Sequence, residues 1–270
     1  MIRAANPLAN TIKEGIPMIY DLQRASMLKR VSAWLLDTIL LCIVATMMAW
    51  MLSLALNYDS YQQQFDARYT HYETVYGVSR NVTQAEVDAM SPEQLANLQA
   101  ASDAFAADPE AIYAWNMMIY MIITMVSISI LLSYLLLEFF VPLIFSNGQT
   151  VGKKVFGIGV MRQSGIRVNG VCMFIRTVLG KFAIETMIPV MMLMMLFFGA
   201  IGLPGLLIGG GIILVQFLLL ISTKEHSLIH DKLANTVTVD LASQMIFDTE
   251  EYLIAYKQKI AAEKAAQQSY

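Results

Sequence analysis

The sequence predicts an all-α membrane protein: a four-transmembrane-helix bundle with an extracytoplasmic helical cap and a small cytoplasmic β-hairpin. Three observations lead there. Of 270 residues, 57% are hydrophobic and 14% charged, where a soluble domain carries about a quarter charged. Four apolar stretches, at about 31–56, 112–137, 182–200 and 205–222, are near or above the length that takes a helix through hydrocarbon, roughly twenty residues. Charge is also segregated: residues 57–111 hold 9 of the 21 Asp and Glu but only 2 of the 18 Lys and Arg. Basic flanks stay in the cytoplasm, so both termini are expected there and 57–111 outside.

Taken in order, residues 1–29 read as a cytoplasmic tail, with a short interfacial helix near Tyr20–Leu28 and no cleavable signal. The first span, Arg30–Leu56, carries Asp37 about two turns inside. A charge at helix centre costs on the order of 2.5–3.5 kcal/mol on insertion scales and is tolerated mainly where it faces protein or water. Arg30 lies seven residues earlier, near the same face. In the insertion 57–111, Thr83–Glu86 and Ser91–Gln94 are capping boxes, the second with Pro92 at the first helical position. Asn81-Val82-Thr83 has the form of a glycosylation acceptor but overlaps a cap. The second span ends at Glu138 and Pro142. In 148–169, β-type runs at Val155–Met161 and Ile166–Val168 flank Arg-Gln-Ser-Gly, which reads as a hairpin, and Thr236–Asp240 is a candidate third strand. Val171–Lys181 reads as the approach to the third span. Gly202-Leu-Pro204-Gly205 is a turn into the fourth, where Gly209, Gly210 and Gly211 read as packing residues. Residues 30–241 make the transmembrane domain and 242–270 a helix-prone cytoplasmic tail.

Ionisable residues near the inner boundary are the site candidates. Asp37, Glu138, Glu185 and Asp231 are candidate cation or proton ligands, with Arg30, Arg176 and His230 as charge partners. A carboxylate binds either a proton or a cation, so the set suits proton-coupled cation exchange; a static interlock of salt bridges needs the same residues. Glu138 and Glu185 equally read as interfacial carboxylates paired with Lys153, Arg176 or Lys181. His230 beside Asp231 is either a titrating pair or a helix-end contact. Gly148, Thr150, Gly152 and Lys153 resemble a phosphate loop but fail its spacing and lack its last Ser/Thr. They read as a structural turn whose lysines meet lipid phosphates or helix ends. Met117, Met121 and Met125, at i, i+4 and i+8, suit Cu(I) as thioethers or fill space as flexible apolar side chains. Cys42 and Cys172 read as small buried hydrophobes. The residues offer no enzyme constellation and no firm metal set, and imply no cofactor and no nucleic-acid partner.

Three separated stretches then carry a resemblance: KRVSAWLLD, the central NGQTVGKKVFGIGVMRQSGIRV with its G-x-T-x-G-K-x-x-x-G-x-x-V pattern, and HSLIHDKLANTVTV. Together they resemble the RDD family of bacterial membrane proteins, named for one arginine and two aspartates, here matched by Arg30, Asp37 and Asp231. The resemblance implies a multi-pass protein of the bacterial inner membrane, and some members are linked to sodium–proton exchange. A transporter of monovalent cations and protons is therefore expected, with Asp37 central and, four spans being few for a path, a homo-oligomer. A membrane adaptor with a structural charge cluster and a Cu(I)-handling protein are the alternatives. The acidic insertion departs from a minimal member and points to an extracytoplasmic protein partner or a gate.

Overall fold

The computed structural model describes residues 22–145, 147–199, 202–222 and 227–268. It is mostly helical, 75%, with one small sheet. Among the described residues three helices are long and apolar enough to cross a membrane: α1 (Met27–Ala55), α5 (Pro109–Ile144) and α7 (Gly170–Phe197). Between α1 and α5 lie α2 (Tyr58–Tyr76), α3 (Gln84–Asp88) and α4 (Pro92–Ala106). Between α5 and α7 lie the short α6 (Val151–Val155) and strand β1 (Ile158–Arg162). Then follow α8 (Leu203–Ser222), α9 (Ile229–Leu233), strand β2 (Thr236–Asp240) and α10 (Glu250–Gln268). The apolar part of α8, Leu203–Leu219, is shorter than the three long helices.

Contacts divide the chain into two compact units, residues up to 44 together with 130–270, and residues 45–129. In the smaller unit the local signals act as read. Thr83 and Ser91 each form a complete capping box, with Glu86 and Gln94. Asn57 and Gly77 take left-handed conformations at the two ends of α2. Helices α2 and α4 join through aromatic side chains: Phe105 lies 5.3 Å from Phe65 and 4.5 Å from Tyr69, ring centre to ring centre. Arg68 on α2 donates to Asp108 at 2.6 Å, which ties α2 to the start of α5. Met117, Met121 and Met125 lie along α5, the last of them buried.

The larger unit is built on the sheet. Strand β1 pairs antiparallel with β2 from Ile158↔Asp240 to Arg162↔Thr236. Both strands are buried over their first four residues, with Val160, Val168, Cys172, Met173 and Ala234 forming one apolar cluster beside them. The other edge of β2 is taken by the segment before α1. Ala25 donates to the Thr238 carbonyl at 3.3 Å, and Asp240 donates to the Gln23 carbonyl at 3.1 Å. That edge pairing keeps residues 22–26 out of a helix, so α1 starts at Met27; the expected interfacial helix near Tyr20–Leu28 is absent from its described part, and Tyr20 and Asp21 lie outside the described residues.

Two more expectations change. The hairpin at 148–169 does not form as a strand pair. Thr150 instead caps α6 by accepting from Lys153 N–H at 3.3 Å. Past Gly165 the return reaches β1 through the bridge Met161↔Arg167 and the Arg162 N–H, which donates to the Ile166 carbonyl at 2.8 Å; further along the same edge Val160 donates to the Asn147 carbonyl, while Arg167 donates to the Phe247 carbonyl. Residues 171–181 are not an approach to the third span but belong to α7 itself. The turn before α8 is described only from Gly202 onward.

Much apolar surface remains outward. Trp34, Ile43 and Trp50 on α1, and Leu207, Ile213 and Phe217 on α8, are more than half exposed. Patches of this extent on a soluble monomer mark a binding surface, and on helices of this length they mark contact with lipid.

Candidate functional site

The four carboxylates singled out from sequence all belong to the larger unit and are buried or nearly so. They meet four basic side chains, Arg30, Lys153, Arg176 and Lys181, in two adjoining groups.

The first group centres on Asp37 of α1. Its carboxylate accepts the Thr150 hydroxyl and, at 2.7 Å, the Gly152 backbone N–H. This approach requires glycine: a Cβ at Gly152 would strike the Ala33 carbonyl and lie 2.9 Å from the Asp37 carboxyl carbon. Thr150 thus caps α6 and holds Asp37 with one hydroxyl. Lys153, in the only turn of α6, puts Nζ 3.2 Å from Thr150 Oγ1 and 4.0 Å from both Asp37 Oδ2 and Glu138 Oε2. Glu138 also takes Lys181 Nζ at 2.6 Å. Burial pulls the Lys153 ammonium down to about 8; Lys181 and Arg176 add to this, and Glu138 and Asp37 oppose it. Lys153 is therefore no lipid-phosphate contact but a buried cation between two carboxylates. Lys154 is the lysine that faces away, its ammonium 3.9 Å from the centre of the Phe145 ring.

The second group centres on Asp231 of α9. Arg176 donates to its Oδ1 and, at 2.6 Å, to Thr236 Oγ1, and Arg30 lies 3.8 Å from its Oδ2. Burial alone would raise the Asp231 carboxyl, but Arg176, His230 and Arg30 hold it well below the usual carboxylate range. His230 faces Glu185, with its backbone N–H at 2.9 Å from Oε1 and Nδ1 at 2.7 Å from Oε2. Burial and the nearby Arg176 keep the imidazole below its ordinary value, against the pull of Asp231 and Glu185. An ionised Glu185 only accepts, so Nδ1 carries the proton. Here too glycine permits contact: a Cβ at Gly180 would lie 2.5 Å from His230 Cβ.

Local helix geometry gathers the charges on α5 and α7. Both helices widen into π-type turns, over Leu135–Phe140 and Ile175–Met187. An i→i+5 bond brings residues five apart to neighbouring positions, and such turns are frequent at functional sites. Arg176 and Lys181 are five apart, and Glu138, Arg176, Lys181 and Glu185 all lie in the widened segments.

The structure corrects one pairing: Arg30 does not bind Asp37. Seven residues of α-helix advance by about 10 Å, so a shared face sends them to different partners, Asp231 and the Thr150–Gly152 turn. Sequence reading also missed Thr236, which links Arg176 to Asp231, and Thr177, whose hydroxyl donates to the Glu138 carbonyl at 2.9 Å. The alternation of Thr and Val in Thr236–Asp240, which sets both threonines on one face of the strand, was the available signal for the first. Cys172 is buried, as read, and Cys42 is exposed on α1. Among the described residues no group of three or more His, Cys, Asp and Glu is arranged to hold a metal ion.

No curated protein and no solved structure matches the chain. A family model, described as the RDD family, matches residues 24–235. That match spans α1 through α9 and contains Arg30, Asp37 and Asp231, so the chain, with its long apolar helices and buried charge network, belongs to the RDD family of membrane proteins.

Proposed function

We propose that the protein exchanges a monovalent cation for protons across the bacterial inner membrane, with Asp37 as the central ligand. One observation carries this reading. Asp37 is buried in a membrane-length helix, yet its close contacts are a hydroxyl and a backbone N–H, and its nearest basic nitrogen among the described residues is 4.0 Å away. A carboxylate serving only as an interlock gains most from a close, charge-assisted contact, such as the one Asp231 makes. Asp37 instead shares a loosely held ammonium with Glu138, and a cation of another kind can compete for that place.

Four crossings, with both termini cytoplasmic, complete the reading. The sheet supports this count, since it joins the segment before α1, the segment between α5 and α7, and the segment after α8. Segments hydrogen-bonded together lie on one side of the membrane. An even number of crossings then separates each pair, and α8 must cross whenever α7 does. Its twenty residues reach about 30 Å.

A second reading rests on the Asp231 group: a fully compensated interlock in a non-transporting membrane adaptor. Cation-dependent proton flux in proteoliposomes decides between them, with wild type beside Asp37→Asn. Exchange predicts flux with Na⁺ or Li⁺ that vanishes in a variant still folded. Absence of flux from well-folded wild type, across several cations and pH values, leaves the adaptor.

A further inference from the structure

We infer that the outward side of α6, with the end of α5 beside it, binds an anionic phospholipid whose phosphate is held by Lys154. The inference stands apart from ion exchange and concerns the other side of the helix that holds Asp37. Gly152 and Lys153 are the buried side, the first against Ala33 and Asp37 of α1 and the second in the charge network. Lys154 and Val155, next in the chain, are exposed. Gly152 meets α1 six and ten residues past its start at Met27, about 9–15 Å along the helix axis. The short helix therefore lies alongside the body of a membrane-length helix, and its outward side faces lipid headgroups and the first part of their chains.

That side fits an anionic amphiphile in shape and in charge. Ile144, the last residue of α5, is 77% exposed and Val155 is 65% exposed, which gives acyl chains an apolar surface. The Lys154 ammonium lies 3.9 Å from the centre of the Phe145 ring, next to Ile144, and so brings the ends of the two helices together. Residues 146–181 hold six Lys and Arg and no Asp or Glu. Lys153, Arg176 and Lys181 face carboxylates within the network, and Arg167 pairs with Asp248 at 3.0 Å. Lys154 alone of these five has no carboxylate within ion-pair distance among the described residues. An aromatic face attracts a cation but does not neutralise it. A lysine stem lies along apolar surface and holds its ammonium at headgroup level, where phosphate is the charge it meets. A free phosphate would leave Ile144 and Val155 uncovered; a lipid covers them.

The test measures thermal stabilisation of the purified full-length protein in micelles. The additives are phosphatidylglycerol, phosphatidylcholine with the same chains, and inorganic phosphate. Wild type is expected to be stabilised by phosphatidylglycerol at a concentration at least about fivefold lower than by phosphatidylcholine, the worth of one lysine near an anionic surface. Lys154→Gln is expected to lose about that factor while its response to phosphatidylcholine stays. Lys154→Arg, which keeps the charge, is expected to retain the preference. A wild type that responds equally to both lipids overturns the proposal, as does a preference undiminished in Lys154→Gln. Equal stabilisation by inorganic phosphate overturns the lipid assignment. Should Lys154→Gln fail to fold, Val155→Glu decides in the same way: at an exposed position it sets a carboxylate beside the ammonium and is expected to remove the preference.

Discussion

At the scale of single residues the network contains carboxylates of two kinds. Asp231 is clamped by Arg176 and Thr236, whereas Asp37 is held by neutral donors. Removing one partner of a buried pair strands the other charge, at a cost of about 3–5 kcal/mol. Arg176→Gln is expected to cost that much in the unfolding free energy measured in micelles. Arg30→Gln is expected to cost clearly less, since Arg30 stands 3.8 Å from Asp231. Combining Arg176→Gln with Asp231→Asn should recover a large part of the loss, because neither charge then remains. A double variant as unstable as the sum of its singles would mean that the pair is not coupled. Residue types at the site were legible in the sequence, since charges in apolar helices are conspicuous. Their pairing was not. Arg30 and Asp37 share a face, but partners are chosen by loops and helices distant in the chain, and Lys153 looked like a surface lysine because its burial depends on α6 folding against α1.

At the scale of elements, what is local was readable and what is non-local was not. Thr83, Ser91 and Asp108 mark their helix starts, because a cap is settled within three or four residues. β1 found its long partner about eighty positions away, and on its other edge Asn147 and Ile166 share the place a full hairpin strand would take; the widened turns of α5 and α7 leave no periodic trace that an α-helical reading detects. Glycines behave likewise. Gly152 and Gly210 look equally replaceable in sequence, but only the first sits where a Cβ would collide; nothing lies within 4 Å of one at Gly210. Gly152→Ala is expected to destabilise by about 1–3 kcal/mol through overpacking and to abolish the Asp37 contact. Gly210→Ala is expected to be neutral or to stabilise α8 by about 0.5–1 kcal/mol. Thermal unfolding of the two variants side by side checks this, and equal loss in both would remove Gly152 from the Asp37 site. The same comparison revises the triple glycine of α8, where only Gly209 would meet a neighbour, the side chain of Met192.

At the scale of the whole molecule the charge distribution and the sheet give independent arguments for one topology. The first is statistical: with nine acidic and two basic residues, 57–111 is the segment that the positive-inside rule expects outside. The second is geometric. Residues 23–25, β1 and β2 are hydrogen-bonded to one another and therefore share a side. Only an even number of crossings fits each interval between them, so the proposed topology requires a full crossing of α8 despite its shorter apolar stretch. Labelling of single cysteines in intact cells tests both arguments, in a background with Cys42 and Cys172 replaced by serine. A membrane-impermeant maleimide is expected to modify Ser79→Cys, an exposed position in the insertion, without permeabilisation. Gln258→Cys on α10, exposed as well, is expected to react only after the membrane is opened. If both react from outside, α8 does not cross and β2 has no route to β1, a result that would contradict the sheet itself. If neither reacts until permeabilisation, the acidic insertion lies inside and the charge argument fails while the sheet stands. Agreement at both positions puts Asp37, Glu138, Lys153 and Asp231 on the cytoplasmic half of the bundle.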